Sequence, residues 1–151
     1  MESSKPVTIA IAEDDADDRM MIQDALRDCH ILNPVDFLED GEALMQYLRR
    51  EGEYGQLAGT DLPGLILLDL NMPRKDGREA LAEIKSDPEL RHLPVIVMTT
   101  SRSPDDVSVT YDIGANSYVA KPIHYEELLE VLQTLGKYWL EVVDLPGAPA
   151  G

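Results

Sequence analysis

Leu65-Ile66-Leu67-Leu68-Asp69-Leu70-Asn71-Met72-Pro73 is the stretch from which the rest of the chain can be read. Five aliphatic residues surround one acid, and a loop follows, signalled by Pro73 and Gly77. An unbroken apolar run of this length, closed by Pro and Gly, predicts a strand buried on both faces, as in a parallel sheet. Asp69 then stands at the carboxyl end of that strand, the edge where open α/β sheets bind ligands. Taken alone, Asp69 reads equally well as a cap for the loop or helix that follows.

Working outward, the same unit repeats. Val7-Thr8-Ile9-Ala10-Ile11-Ala12 is a β-branched, apolar strand ending at Glu13-Asp14-Asp15, and a helical pattern follows through Ile22, Ala25, Leu26 and Cys29. Acids in a first helical turn suit the helix dipole, which accounts for one or two of the three. Val35-Asp36-Phe37-Leu38 is a second strand, and Asp40 caps a helix with Ala43, Leu44, Tyr47 and Leu48 on its apolar side. A Gly-rich polar loop, 52–64, leads to the Asp69 strand. The next helix starts near Asp76 or Gly77 and stops at Asp87-Pro88, because proline cannot continue it.

A fourth strand, Pro94-Val95-Ile96-Val97-Met98, ends in Thr99-Thr100-Ser101, and Ser103-Pro104-Asp105-Asp106 starts a helix with a capping hydroxyl and proline in first position. Asn116-Ser117-Tyr118-Val119-Ala120 is the fifth strand, followed by Lys121-Pro122 and a last helix from about His124. Five βα units predict an α/β fold, a doubly wound five-stranded parallel sheet with five helices on both faces.

Composition narrows the function. The net charge of −16 argues against nucleic acid and anionic membranes, since no basic cluster is present. No apolar stretch reaches the ~18 residues of a membrane span. The first residues lack the features of a signal peptide, so a cytoplasmic protein is expected. A single cysteine, Cys29, excludes an internal disulfide framework and reads as a small core residue.

The topology gathers polar strand ends on one edge: Glu13 and Asp14 from the first strand, Asp69 from the third, Thr99 from the fourth, Lys121 from the fifth. Crowded carboxylates resist ionising unless a cation compensates. Oxygen-only ligands, with no His or Cys at hand, favour magnesium over zinc. Lys121 and Thr99 suit the oxygens of a phosphoryl group, so that the set reads as a phosphoryl acceptor.

These landmarks resemble the signature of the receiver domains of bacterial response regulators. Glu13-Asp14, Asp69 with Asn71-Met72-Pro73 and Gly77, Thr99, and Lys121-Pro122 fall in register, with 30 residues from Asp69 to Thr99 and 52 from Asp69 to Lys121. Glu13 stands where a second Asp is commoner. The resemblance implies a flavodoxin-like sheet of order 2-1-3-4-5, Mg2+ as cofactor, and a sensor histidine kinase as phosphoryl donor to Asp69. It further implies that Asp14, Asp69 and the Asn71 carbonyl ligate the metal while Glu13 reaches it through water. Lys121 would pair with the phosphoryl group, a cis bond would precede Pro122, and Thr99 and Tyr118 would form the switch. On this reading residues 1–151 are a single receiver domain, its core at about 6–135, and the protein catalyses only its own phosphorylation and dephosphorylation.

The carboxyl-terminal stretch adds a second expectation. Leu128, Leu132, Leu135, Trp139 and Val142 recur at helical spacing, and neighbours widen the apolar arc to roughly 200° of the wheel, against the ~100° stripe that sheet packing needs. Gly136 either interrupts this helix or starts a separate segment. The excess predicts an apolar patch used for dimerisation, with Val107, Tyr111, Leu135, Tyr138, Trp139 and Val142 as candidates; a helix sunk deeper into its own core is the alternative. Residues 137–146 and 76–85 also resemble the small single-domain regulators paired with bacterial phytochrome kinases, which implies a homodimer and a bacteriophytochrome partner. A helical extension at about 136–145 and a flexible tail complete the expectation.

Three other readings compete. The chain could relay phosphate to a histidine phosphotransfer protein, or act as a phosphorylation-independent binding module. An aspartyl-phosphate phosphatase of the haloacid dehalogenase type would need a second Asp two residues after the nucleophile, where Asn71 stands.

Overall fold

The computed structural model describes residues 6–142 and residue 145. Strands β1 (Ile9–Ala12), β2 (Val35–Leu38), β3 (Leu65–Leu68), β4 (Val95–Thr99) and β5 (Ser117–Ala120) alternate with helices α1 (Ala16–Asp28), α2 (Gly41–Arg49), α3 (Gly77–Ser86), α4 (Pro104–Ile113) and α5 (Tyr125–Gly136). All neighbouring strands pair in parallel, in the order β2-β1-β3-β4-β5. The expected doubly wound sheet is therefore present, with its strand order.

Each strand of the sheet's centre is buried on both faces, which is why β3 and β4 are apolar without alternation. Alternate residues feed two cores. Ile9, Ile11, Leu65, Leu67, Ile96 and Met98 meet α1 and α5 through Ile22, Leu26, Leu128 and Leu132. Ala10, Ala12, Ile66, Leu68, Val95 and Val97 meet α2 and α3 through Leu44, Leu48, Leu81 and Ile84. Helix α4 is different: Thr110 is its one buried residue.

The helix starts follow local chemistry. Asp15 caps α1 by accepting from the amides of Asp17 and Asp18, and Asp40 caps α2 by accepting from Ala43. Asp76 and Glu79 exchange side-chain and backbone bonds at the start of α3, a reciprocal capping box. Ser103 occupies the cap position of α4, but its hydroxyl makes no capping bond, contrary to expectation. The carboxylate in that first turn, Asp106, is engaged instead by Ser101 and Arg78.

Two further readings are refined. The polar loop after α2 contains a 3-10 turn, Gly52–Leu57, and just before it the Arg50 guanidinium lies over the Tyr47 ring, 5.0 Å from its centroid. Gly136 does not break the last helix: the chain continues helically, passing into π-type hydrogen bonding over Lys137–Val142. A Cβ at Gly136 would lie 2.8 Å from Ile31 Cδ1, so this glycine admits the α1–β2 loop rather than ending α5. The predicted tail, and most of the stretch beyond Val142, lie outside the described residues.

Gly77 has a structural reason of its own. Its amide donates to the Leu70 carbonyl at 2.8 Å, and a Cβ there would fall 2.2 Å from the Asp69 carbonyl oxygen and 2.7 Å from Leu70 Cα. These are backbone atoms that cannot swing aside. Gly77→Ala is accordingly expected to cost about 1–3 kcal/mol of stability through overpacking. Gly136→Ala, which meets only a flexible side-chain end and gains up to about 1 kcal/mol of helix propensity, is expected to be near neutral. Urea unfolding of the two variants beside wild type measures the contrast; equal midpoints would remove the packing account of Gly77.

Candidate functional site

Register carries the polar residues to one edge. Ala12 pairs with Leu68, so Glu13 and Asp69 leave the ladder side by side, and the Asp69 amide donates to the Ala12 carbonyl at 3.1 Å. Thr99 pairs with Ala120, and the amide of the next residue, Lys121, donates to the Thr99 carbonyl at 2.8 Å. Glu13, Asp14 and Asp69 each offer an oxygen, and the three oxygens lie within 4.8 Å of one another. Asn71 is drawn beside them by its amide, which donates to Asp69 Oδ1 at 3.3 Å.

Lys121 sits among these acids. Its ammonium donates to Glu13 Oε1, to Asp18 Oδ2 at 2.9 Å and to Asp69 Oδ2 at 3.2 Å. Glu13 and Asp69 are 2% and 7% exposed, so their charges need compensation from within the protein. Burial pushes the Glu13 carboxyl up to about 7, outweighing the ammonium beside it, and the charge of Asp69 adds to the rise. Burial works against the Lys121 ammonium as well. Its bonds to Glu13 and Asp18 and the charges around it together prevail, holding its pKa above that of a free lysine.

Asp18 is the residue that sequence reasoning missed. Helical position suggests a solvated face for Asp17, Asp18 and Arg19. In the structure Asp18 reaches Lys121, and Arg19 Nη1 donates to the Glu13 carbonyl at 2.7 Å. A signal was available: Asp18 lies one turn past Asp14, and the first turn of the helix after β1 must lie beside the strand ends. The three acids Glu13, Asp14 and Asp15 also separate in role. Two face the site, and Asp15 caps α1.

Thr99 is fully buried, and its Oγ1 accepts from the Ser101 amide at 3.4 Å. Tyr118 is half-buried, with its hydroxyl donating to the Ser101 carbonyl at 3.0 Å. The expected cis bond before Pro122 is absent: no described peptide bond is cis. Trans is the intrinsically favoured form of an X-Pro bond, and the bond from Lys121 to Thr99 directs Lys121 toward the acids without any isomerisation.

The dimer candidates divide. Tyr111 and Tyr138 are 47% and 53% exposed, whereas Leu135 and Trp139 are half-buried against their own core and Val107 is half-buried. Val142's side chain lies outside the described residues. The apolar excess of the last helix is thus spent partly on its own core and only partly on the surface.

Residues 9–133 match the model of the response regulator receiver domain. The chain belongs to that family. Response regulator Rcp1 of Synechocystis sp. is 42% identical over 147 residues, spanning 97% of this chain and 98% of Rcp1. The crystal structure of the phosphorylated cyanobacterial phytochrome response regulator RcpA superposes with a TM-score of 0.86 at 42% identity, covering 93% of this chain and 99% of that one. The Mn(2+)-bound form of Rcp1 gives a TM-score of 0.85 at 42% identity and the same two coverages. A two-component response regulator is the function this membership carries, with a sensor histidine kinase as the implied partner.

The acid cluster of this receiver domain fits a divalent cation. Its donors are all oxygen, as hard cations require. The ammonium held among the same carboxylates marks the place as one that stabilises positive charge. No helix among the described residues is long and apolar enough to cross a membrane.

Replacing Lys121 tests the charge balance. Lys121→Met strands two buried carboxylates and is expected to destabilise the fold by about 3–5 kcal/mol in chelator. Added divalent cation is then expected to stabilise the variant more than it stabilises wild type. Urea midpoints with and without Mg2+ measure both effects; an equal gain in the two proteins would contradict the account.

Proposed function

We propose that Asp69 is the phosphoryl acceptor of this response regulator and that Mg2+ is the resident cation, held directly by Asp14, Asp69 and the Asn71 carbonyl and through water by Glu13. The observation that carries this reading is the placement of Asp69: at the carboxyl end of β3, one oxygen 3.2 Å from Lys121 Nζ and the other bonded to the Asn71 amide. Bound Mg2+ would screen the repulsion between this carboxylate and an incoming phosphoryl group. An Asp69 oxygen attacks phosphorus, a P–O bond forms, and the P–N bond to the donor histidine breaks with its electron pair returning to the imidazole. Lys121 pairs with the transferred oxygens, and Thr99 turns its hydroxyl to one of them. Tyr118 responds, so that a local charge change biases a two-state surface.

The 42% identity to a cyanobacterial phytochrome response regulator supports a phytochrome-type kinase as the donor. The chain then acts as a single receiver unit, with Lys137–Val142 as a helical extension of α5. The exposed ring of Tyr138, edge-on to Trp139 at 5.3 Å, supports a homodimer through that extension.

Incubation with acetyl phosphate and Mg2+ is expected to add the mass of one phosphoryl group to wild type and none to Asp69→Asn, read by intact mass after a rapid quench. Gain in the mutant equal to that in wild type would move the acceptor elsewhere. Tyr138→Glu is expected to shift the sedimentation coefficient toward the monomer, and an unchanged coefficient would take the dimer away from this ring.

A further inference from the structure

Beside the acidic edge, two residues beyond Thr99, Ser101 is engaged through its amide, its carbonyl and its hydroxyl. Its amide donates to Thr99 Oγ1 at 3.4 Å, its carbonyl accepts from the Tyr118 hydroxyl at 3.0 Å, and its hydroxyl donates to Asp106 Oδ2. Three polar groups of one residue thus face three elements: the end of β4, β5 and the first turn of α4. Asp106 in turn is gripped from α3. Arg78 Nε donates to Asp106 Oδ1 at 2.9 Å and Nη2 donates to Oδ2 at 2.8 Å, a bidentate pair with side chains 30% and 22% exposed. Hydrogen bonds from Arg78 and Ser101 hold the Asp106 carboxyl below the usual range, so it remains a charged acceptor.

This grip matters because α4 has little else. Thr110 is its one buried residue, its Ser103 start makes no side-chain capping bond, and Val109 and Tyr111 are exposed, with the Tyr111 hydroxyl accepting from the Tyr118 amide at 3.0 Å as a further side-chain tie to β5. A helix without a broad apolar face is set in place by its polar ties. A planar guanidinium paired through two nitrogens fixes orientation as well as distance.

We propose that Arg78 is a positioning residue for the switch: through Asp106 it anchors Ser101, and so couples the Thr99 hydroxyl to the Tyr118 ring and to α4. The consequence for signalling rests on Asp69 being the acceptor, but the anchoring itself is a property of the unphosphorylated protein. When Thr99 turns its hydroxyl to an anion on Asp69, it gives up the Ser101 amide. The loop then remains attached through Asp106, and the displacement is carried to Tyr118 and α4. Without Arg78 the loop is released whatever the state of Asp69.

Amide exchange by NMR on the full chain, without phosphoryl donor, tests the anchoring first. Arg78→Ala is expected to speed exchange at the amides of residues 101–106 other than Pro104, and of Tyr118, roughly tenfold, the worth of one charge-assisted hydrogen bond. Ser101→Ala, which removes a single hydroxyl, is expected to reproduce the effect, and the double variant to add nothing further. Arg78→Lys, which keeps the charge without the fork, is expected to recover only part. Wild-type exchange in both single variants, or fully additive effects, would overturn the proposal, since an α3–α4 contact of merely structural kind does not pass through Ser101. Intact mass after acetyl phosphate is read in parallel. If Arg78→Ala gains the phosphoryl group but its α4 and β5 amides no longer respond, the coupling stands. A response equal to wild type would overturn it. No mass gain in wild type would count against Asp69 as acceptor while the exchange comparison still decides the anchoring.

Discussion

One ammonium group holds the working edge of this sheet together. Lys121 reaches Glu13, Asp18 and Asp69, and so joins β1, α1, β3 and the segment after β5 at a single point. Without a cation, buried carboxylates this close would repel one another and disfavour their own ionisation. Burial takes the Glu13 carboxyl up to about 7 even with the lysine present, and the charge of Asp69 adds to that rise. A site built to hold positive charge is thereby kept folded by a positive charge of its own. The same excess of carboxylate that strains the edge is what equips it for a divalent cation.

The position of that edge follows from topology. Parallel strands point their carboxyl ends the same way, and the order β2-β1-β3-β4-β5 puts β1 and β3 side by side at the centre. In-register pairing of Ala12 with Leu68 leaves the next residues, an acid on each strand, adjacent beyond the ladder. No loop has to travel to assemble the site. Gly77 completes the arrangement by letting the start of α3 approach the Asp69 backbone closer than any side chain would allow.

Much of this was legible in the sequence because it depends on local chemistry or on strand ends. The apolar run before Asp69, the cap at Asp40 and the proline after Asp87 fix element boundaries within a residue or two. The acids, Thr99 and Lys121 follow once the strands are placed. What was not legible depends on side chains meeting across elements. Asp18 looks like an ordinary polar residue of α1 until Lys121 arrives from β5, 103 residues away. Gly136 looks like a helix breaker until Ile31 is packed against it. Ser103 looks like a cap, but the carboxylate three residues on has partners on α3 and in the β4–α4 loop. Pro122 needed no cis bond once the β4–β5 ladder already aimed Lys121 at the acids.

The division of labour between the two faces bears on how a change at the edge could be read outside. Helices α1 and α5 are joined over a shared core, with Tyr125 bonded to Asp28 and Cys29 Sγ to the Leu129 carbonyl. Moving either would disturb close-packed aliphatic contacts, at a cost of about 1.5–3 kcal/mol for each large side chain uncovered. Helix α4 buries little and is held by hydrogen bonds and an ion pair, each worth far less than a core. Elements that move in a switch are drawn from the low-stability end of a structure. Of the five helices α4 has the fewest buried residues, and one of its tethers runs through the residue that both Thr99 and Tyr118 touch. On the reading of Asp69 as acceptor, charge arrives where the protein is rigid and is expressed where it is not.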